Sequence, residues 1–227
     1  MTIAILGTGM VGRTLAARLA ELGHQVSIGT RDPAATGARA VDEHTSWDGW
    51  LADHPGISLV SYAAAAAAAA DVVIHAANGA SAIEVLHAAA RENLAGKVVL
   101  DVSNPLDAST GFPPALFVEN TDSLAERIQA AFPDARVVKS LNTMNAALMA
   151  HPESLAGGAH TVFVSGNDPE AKAVVCVLLR EFGHTDIIDL GALDTARGSE
   201  MYLPLWLRLF GALGHFDFNI RVVRAAG

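Results

Sequence analysis

The chain has 227 residues, 51% of them hydrophobic and 17% charged, and a formal net charge of −9. That is length for one nucleotide-binding domain with a sizeable core and a small appendage, and composition that argues against intrinsic disorder. The acidic balance leaves no basic field for a nucleic acid or an anionic membrane, and a single cysteine, Cys176, excludes an intrachain disulfide and a multi-cysteine metal site.

Short β-branched or apolar runs alternate with Ala- and Leu-rich segments of helical length, the pattern of parallel strands joined by helical crossovers. Met1 leads straight into the first strand, 3–6, with no basic segment or long apolar leader, so a cytoplasmic location is expected. A helix over 11–22 follows, carrying Leu15, Leu19 and Leu22 at helical spacing, and then a strand at 25–28. The alanine tract 63–70 reads as a close-packing crossover helix, since Ala has the highest helix propensity. Strands are predicted at 72–76, 98–101 and 136–140, with a Pro-, Asp- and Gly-rich loop at 104–114.

Pro152, Gly157 and Gly158 make 151–159 a plausible junction between a nucleotide-binding domain, 1–150, and a small α/β region, 151–227, for substrate and dimerisation. That region is expected to hold strands at 161–165 and 186–190 and helices at 169–182 and 195–213, the last kinked at Pro204. The apolar side of the 195–213 helix, with Met201, Leu205, Trp206, Leu209 and Phe210, reads as core or dimer contact, and a homodimer is expected. Residues 203–216 are interrupted by Pro204 and Arg208 and fall short of a membrane span. Residues 215–223 alternate apolar and polar side chains as an edge or intersubunit strand would.

Gly7, Thr8, Gly9, Met10, Val11 and Gly12 spell G-T-G-M-V-G between an apolar strand and an amphipathic helix. In that context Gly7 permits a tight turn, Gly9 leaves room for a pyrophosphate, and Gly12 lets the helix lie close to the strand. The backbone N–H groups at the helix start would then meet the diphosphate. The fold class expected is a Rossmann-type α/β fold, a doubly wound, mostly parallel sheet with a small C-terminal α/β extension. Where NAD enzymes place an acidic residue at the end of the second strand, this chain has Gly29, Thr30 and Arg31. A hydroxyl and a guanidinium would donate to a 2′-phosphate, which points to NADP(H). Asp32, followed by Pro33, fits a helix cap. Arg39 either supplements Arg31 or lies on the surface.

Ligands of doubly wound sheets lie beyond the carboxyl ends of the strands. There the chain offers Ala76, Ala77, Asn78 and Gly79, then 102–106 with Asn104 and Pro105, then 142–145 with Met144 and Asn145. All are neutral, so no catalytic acid or base and no metal cluster is assigned, and the asparagines also fit turn formers. Lys139 closes a strand, whereas the catalytic lysines of hydroxyacid dehydrogenases lie on a helix. Catalysis by Lys139 is not favoured.

The ordered blocks A-I-L-G-T-G-M-V-G, G-T-R-D, D-V-S-N-P-L, V-V-K-S-L-N-T-M, F-V-S-G-N-D-P-E-A-K and A-R-G-S-E-M-Y-L-P-L-W resemble the coenzyme F-420-dependent NADP oxidoreductase family along nearly the whole chain. The resemblance implies hydride transfer between NADP(H) and a second small-molecule redox coenzyme, coenzyme F-420 or a flavin, with no need of protein acid–base groups. It implies that Gly9, Met10, Val11, Thr30, Arg31 and Ala76 hold NADP. It also implies that Met144, Asn145 and Arg197 face the second ring or its tail. Two other readings stay open: an NADPH-dependent reductase of a small carbonyl or imine, and a non-catalytic NADP-binding sensor.

Overall fold

The structure, a computed structural model, describes residues 1–43, 45–109 and 111–225. Thr110 in the expected loop and residues 226–227 at the end of the expected C-terminal region lie outside the described residues.

The strands are β1 (Thr2–Leu6), β2 (Gln25–Thr30), β3 (Ile57–Ser61), β4 (Val72–His75), β5 (Val98–Asp101), β6 (Leu106–Asp107), β7 (Ala115–Leu116), β8 (Arg136–Ser140), β9 (Thr161–Gly166) and β10 (Asp186–Gly191). The helices are α1 (Met10–Glu21), α2 (Pro33–Gly37), α3 (Trp47–Asp53), α4 (Tyr62–Ala68), α5 (Ala82–Ala88) and α6 (Arg91–Leu94). They continue as α7 (Leu124–Ala131), α8 (Ala146–Ala150), α9 (Pro169–Phe182), α10 (Ala196–Met201) and α11 (Leu203–Leu213).

One sheet runs in the order β10-β9-β8-β5-β4-β1-β2-β3, with β6 and β7 forming a separate hairpin. Every neighbouring pair in the large sheet is parallel except β8 and β9. The inner strands β4 and β5 are buried at every position, as expected for strands covered by helices on both faces. On one face α1 lays Leu15, Ala16 and Leu19 over Ile3, Ile5 and Ile28. On the other, Ala65 and Ala66 of α4, Leu86 of α5 and Ile128 of α7 cover Ala4, Val73 and Val99. This is the expected Rossmann-type fold, and the chain order reverses between β1 and β4, which opens a crevice at their carboxyl ends.

Four segments differ from expectation. The strand β3 was not expected; it is a sheet edge with polar Ser58 and Ser61, so its apolar signal is weak. The loop 104–114 contributes β6, which pairs with β7 just beyond it. The helix expected over 195–213 is two helices meeting at Tyr202, with Pro204 in the first turn of α11, where a missing N–H costs nothing. Residues 215–223 form no strand. Strand β9 pairs with β10 from Thr161 to Ser165 but with β8 only from Val164 to Gly166, and the tail touches just its first residue, Thr161, through Ile220 O at 2.9 Å and Val222 N at 2.9 Å. At the expected junction the chain makes two 3-10 turns, Pro152–Ser154 and Ala156–Gly158, and the strands beyond it join the same sheet. Among the described residues no helix is long and apolar enough to cross a membrane.

Candidate nucleotide site

The glycine turn joins β1 to α1 at the crevice. A Cβ on Gly7 would lie 2.5 Å from the Ala76 carbonyl oxygen, and one on Gly12 would lie 2.1 Å from the Gly7 carbonyl oxygen. Both glycines are therefore demanded by close backbone approach. Gly12 is buried against the turn, so its part is packing rather than contact with a ligand. At Gly9 a Cβ would meet nothing within 4 Å, so the space beside the helix start is open. Gly9 caps α1 with no side-chain hydrogen bond and no acidic residue in the first turn, which leaves the N-terminal N–H groups for an anion.

Two cavities flank this turn. One, of about 510 Å³, runs along Thr8, Thr30, Arg31, Arg39 and Tyr62. The other, of about 340 Å³, is bounded by Met10, Val11, Val102, Ser103, Met144 and Met149. Both are lined by Ala76, Ala77 and Asn78, so they form two halves of a single trough across the carboxyl edge. A larger groove of about 930 Å³, lined by Glu126, Arg136, Asp168 and Asp194 among others, shares no residue with the trough and has no glycine turn beside it.

In the first half the Thr30 hydroxyl lies 2.8 Å from that of Thr36. Arg31 reaches across the opening, Nη2 donating to Glu84 Oε1 at 2.7 Å with both side chains exposed. Arg39 Nη2 donates to the Thr8 hydroxyl at 2.7 Å. Burial pushes the Tyr62 phenol above its ordinary pKa, and Arg31, Glu84 and Arg39 all act on it electrostatically. Asp32 is engaged elsewhere: its carboxylate accepts from Ala35 N at 3.0 Å and caps α2, with Pro33 in the first turn.

The second half is neutral, and its amides are tied down. Asn78 Oδ1 accepts from Ala80 N at 2.9 Å, capping a 3-10 turn. Asn145 Oδ1 accepts from Leu148 N at 3.0 Å, and its Nδ2 donates to Phe216 O at 2.6 Å. Asn104 Nδ2 donates to Asn142 O, and Asn142 Nδ2 to Asn104 Oδ1, each at 2.9 Å, which locks the two floor loops together.

Besides Gly12, two expected site residues are not brought into the trough. Arg197 faces Glu126 of α7 instead of Met144 and Asn145, donating through Nε at 2.9 Å and Nη2 at 2.6 Å. A bidentate carboxylate on a neighbouring helix holds the guanidinium away from the cavity. Pro105 is buried and lines neither half; its carbonyl accepts from Phe117 N at 2.9 Å and anchors the β6–β7 hairpin.

Lys139 lies beneath the floor, its side chain wholly buried, donating to Asp101 Oδ2 at 2.7 Å and to Ser103 O at 2.5 Å. Its ammonium also lies 2.9 Å from Glu200 Oε1. Glu200 in turn accepts from Leu124 N at 2.7 Å and Ala125 N at 3.1 Å, at the start of α7. His75 Nδ1 lies 2.9 Å from Asp101 Oδ1. Burial alone would raise the Asp101 carboxyl, but the Lys139 charge and the His75 hydrogen bond hold it well below the usual range. Burial alone would lower the Lys139 ammonium, and Asp101 and Glu200 raise it above its ordinary value. So held, Lys139 is a structural cation. Sequence reading missed Glu84, Glu200 and the His75–Asp101 pair; the last left a signal, because polar residues close two otherwise apolar strands.

The family described as NADP oxidoreductase coenzyme F420-dependent matches residues 2–105. The chain is 30% identical over 209 residues to metalloreductase STEAP3 of Rattus norvegicus, covering 90% of this chain but only 37% of that one. It thus spans little more than a third of that relative's length. It is 32% identical over 214 residues to the F420-dependent NADP reductase of Methanocaldococcus jannaschii, covering 92% of each chain. A crystal structure from Arthrobacter sp. FB24, whose suggested assignment is an F420-dependent NADP-reductase, is 57% identical with a TM-score of 0.95, covering 99% of this chain and 100% of that one. Matched end to end by these reductases and in its first half by the family itself, the chain belongs to the coenzyme F420-dependent NADP oxidoreductases, a family of NADP-dependent oxidoreductases.

Proposed function

We propose that this chain transfers a hydride between NADP(H) and a deazaflavin coenzyme of the F-420 type. The observation that carries the reading is the trough itself, with an anion-ready helix start in the middle, two arginines at one end and a neutral floor at the other. The residues fit the cofactor. Gly9 leaves open the space a diphosphate needs, Arg31 and Arg39 line the half where a 2′-phosphate would lie, and Ala76, Val102, Ser103 and Met144 bound the half for a nicotinamide.

Bound together, the two coenzymes supply the redox chemistry, since each ring is its own hydride donor or acceptor. The chain's task is to hold two rings in register and exclude water. Met10, Val11, Met144 and Met149 offer apolar, adaptable contact for that purpose. No proton need pass through the protein, which agrees with asparagines whose amides are already engaged. The relative from Methanocaldococcus jannaschii, matched along nearly its whole length, favours the deazaflavin.

The test is NADPH oxidation followed with the F-420 deazaflavin and FMN side by side. Fast turnover with the deazaflavin is expected; turnover with FMN alone would make a flavin the acceptor. Turnover with carbonyls or imines alone, or binding without transfer, would overturn the proposal. For the cofactor, Arg31→Ala is expected to weaken NADPH binding by about 1.5–3 kcal/mol, the scale of a hydrogen bond to a charged group, and to leave NADH nearly unchanged. Equal losses for both would show that Arg31 does not read the 2′-phosphate.

A further inference from the structure

We infer that Glu84 is a specificity-determining residue of the trough, a built-in competitor for Arg31 that sets how strongly NADPH is preferred over NADH. The inference rests on the cofactor reading above. The chain leaves β4, turns through the 3-10 segment capped by Asn78 and enters α5, which brings Glu84 opposite the end of β2. Its neighbours Ser81 and Val85 line the same cavity as Arg31 and Arg39. Arg31 and Glu84 are 53 residues apart in sequence, so the 2.7 Å pair between them is made by the fold and not by local helix spacing.

The two arginines of this half have different partners. Arg39 donates to the neutral Thr8 hydroxyl, whereas Arg31 donates to a carboxylate. A 2′-phosphate would draw on the same guanidinium, whose Nη2 Glu84 already holds. NADPH must therefore compete with Glu84 for that donor and tolerate the carboxylate nearby. NADH carries only ribose hydroxyls, which leave the pair intact. Glu84 thus bears on one dinucleotide and not the other. Because the pair is exposed, the penalty is modest and salt-sensitive.

The experiment is a fluorescence titration of NADPH and NADH against the wild-type protein, Glu84→Gln, Arg31→Ala and the double variant, at low and high salt. Glutamine keeps the size and removes the charge, and thermal melting checks that each variant is folded. Glu84→Gln is expected to tighten NADPH about threefold to fivefold at low salt, on the scale of an exposed ion pair, with NADH unchanged. The effect is expected to shrink at high salt and on the Arg31→Ala background, where only direct repulsion by the carboxylate is left. Unchanged or weaker NADPH binding in Glu84→Gln would overturn the inference, and so would equal tightening of both cofactors. Failure of the underlying reading looks different: the wild-type protein would then show no preference for NADPH, or Arg31→Ala would weaken both cofactors alike.

Discussion

His184 closes the turn after α9 with its ring almost wholly buried. Its Nε2 donates to the Met149 carbonyl at 3.1 Å, and Nδ1 has no partner among the described residues. Burial, with a smaller push from the nearby His160, brings the imidazole down from 6.5 to about 4, against the Met149 hydrogen bond and the charge of Glu153. The folded state thus resists a proton that the unfolded chain accepts. Well above pH 6.5 both states are neutral and the group contributes nothing to the pH dependence. Between 6.5 and about 4 the unfolded chain binds more protons, so stability falls as pH falls, by up to about 1.4 kcal/mol per pH unit. Melting temperatures of the wild-type protein and His184→Gln measured across that window are expected to show a flatter acid slope in the variant. An unchanged slope would mean that His184 does not titrate there. At this scale the sequence told half the story of the site. Gly7, Gly9, Gly12 and the Asp32 cap were legible because their demands are local, set by backbone approach and helix geometry. Arg197 was not, because Glu126, the group that claims it, lies 71 residues away.

The alanine tract shows what an element can and cannot declare in advance. As α4 it places Ala65 and Ala66 in full burial and Ala67 and Ala68 in solvent. The reason it must be alanine is steric. A Cβ on Gly29 would come 2.9 Å from Leu6 Cδ2, 3.1 Å from Tyr62 Cδ1 and 3.2 Å from the Ala65 Cβ, so α4 already lies as close to β1 and β2 as its side chains allow. Ala65→Leu is therefore expected to cost about 1–3 kcal/mol by overpacking, and to weaken NADPH binding as Thr30 and Arg31 at the end of β2 shift. Ala67→Glu, on the exposed side, is expected to change neither. Chemical denaturation of the two variants side by side checks this, and equal losses would show that the tract is not packed as described. Periodicity and propensity sufficed for α1, α4, α9 and the buried strands. They failed at β3, half-buried at an edge, and at residues 215–223, whose strand-like alternation meets only the start of β9, at Thr161.

Across the whole molecule the two faces of the sheet are apolar, but near the carboxyl edge one row of neighbouring strands is polar. His75, Asp101 and Lys139 stand in register on β4, β5 and β8, with Ser165 of β9 next to Lys139. Glu200 comes down onto this row from α10 and carries the first turn of α7 with it. One ammonium therefore joins the central sheet, the loop at Ser103 under the trough and the C-terminal helices. Replacing it tests whether the link is electrostatic. In Lys139→Met, Asp101 and Glu200 are left buried without their cation, and a loss of about 3–5 kcal/mol is expected near neutral pH. The pH dependence should also change sign. In the wild-type protein the Asp101 carboxyl is held below its ordinary 3.8, so its contribution is present above that value and is lost as pH falls. Without Lys139, only the hydrogen bonds from His75 and Ser103 are left to oppose burial, and the carboxyl is expected to rise above its ordinary value. Its proton is then kept in the folded state, and stability is present at acid pH and lost as pH rises through the raised value. Urea unfolding of Lys139→Met at pH 5 and pH 8 should accordingly show the larger deficit at pH 8. A deficit equal at the two pH values would mean that Lys139 acts through packing alone.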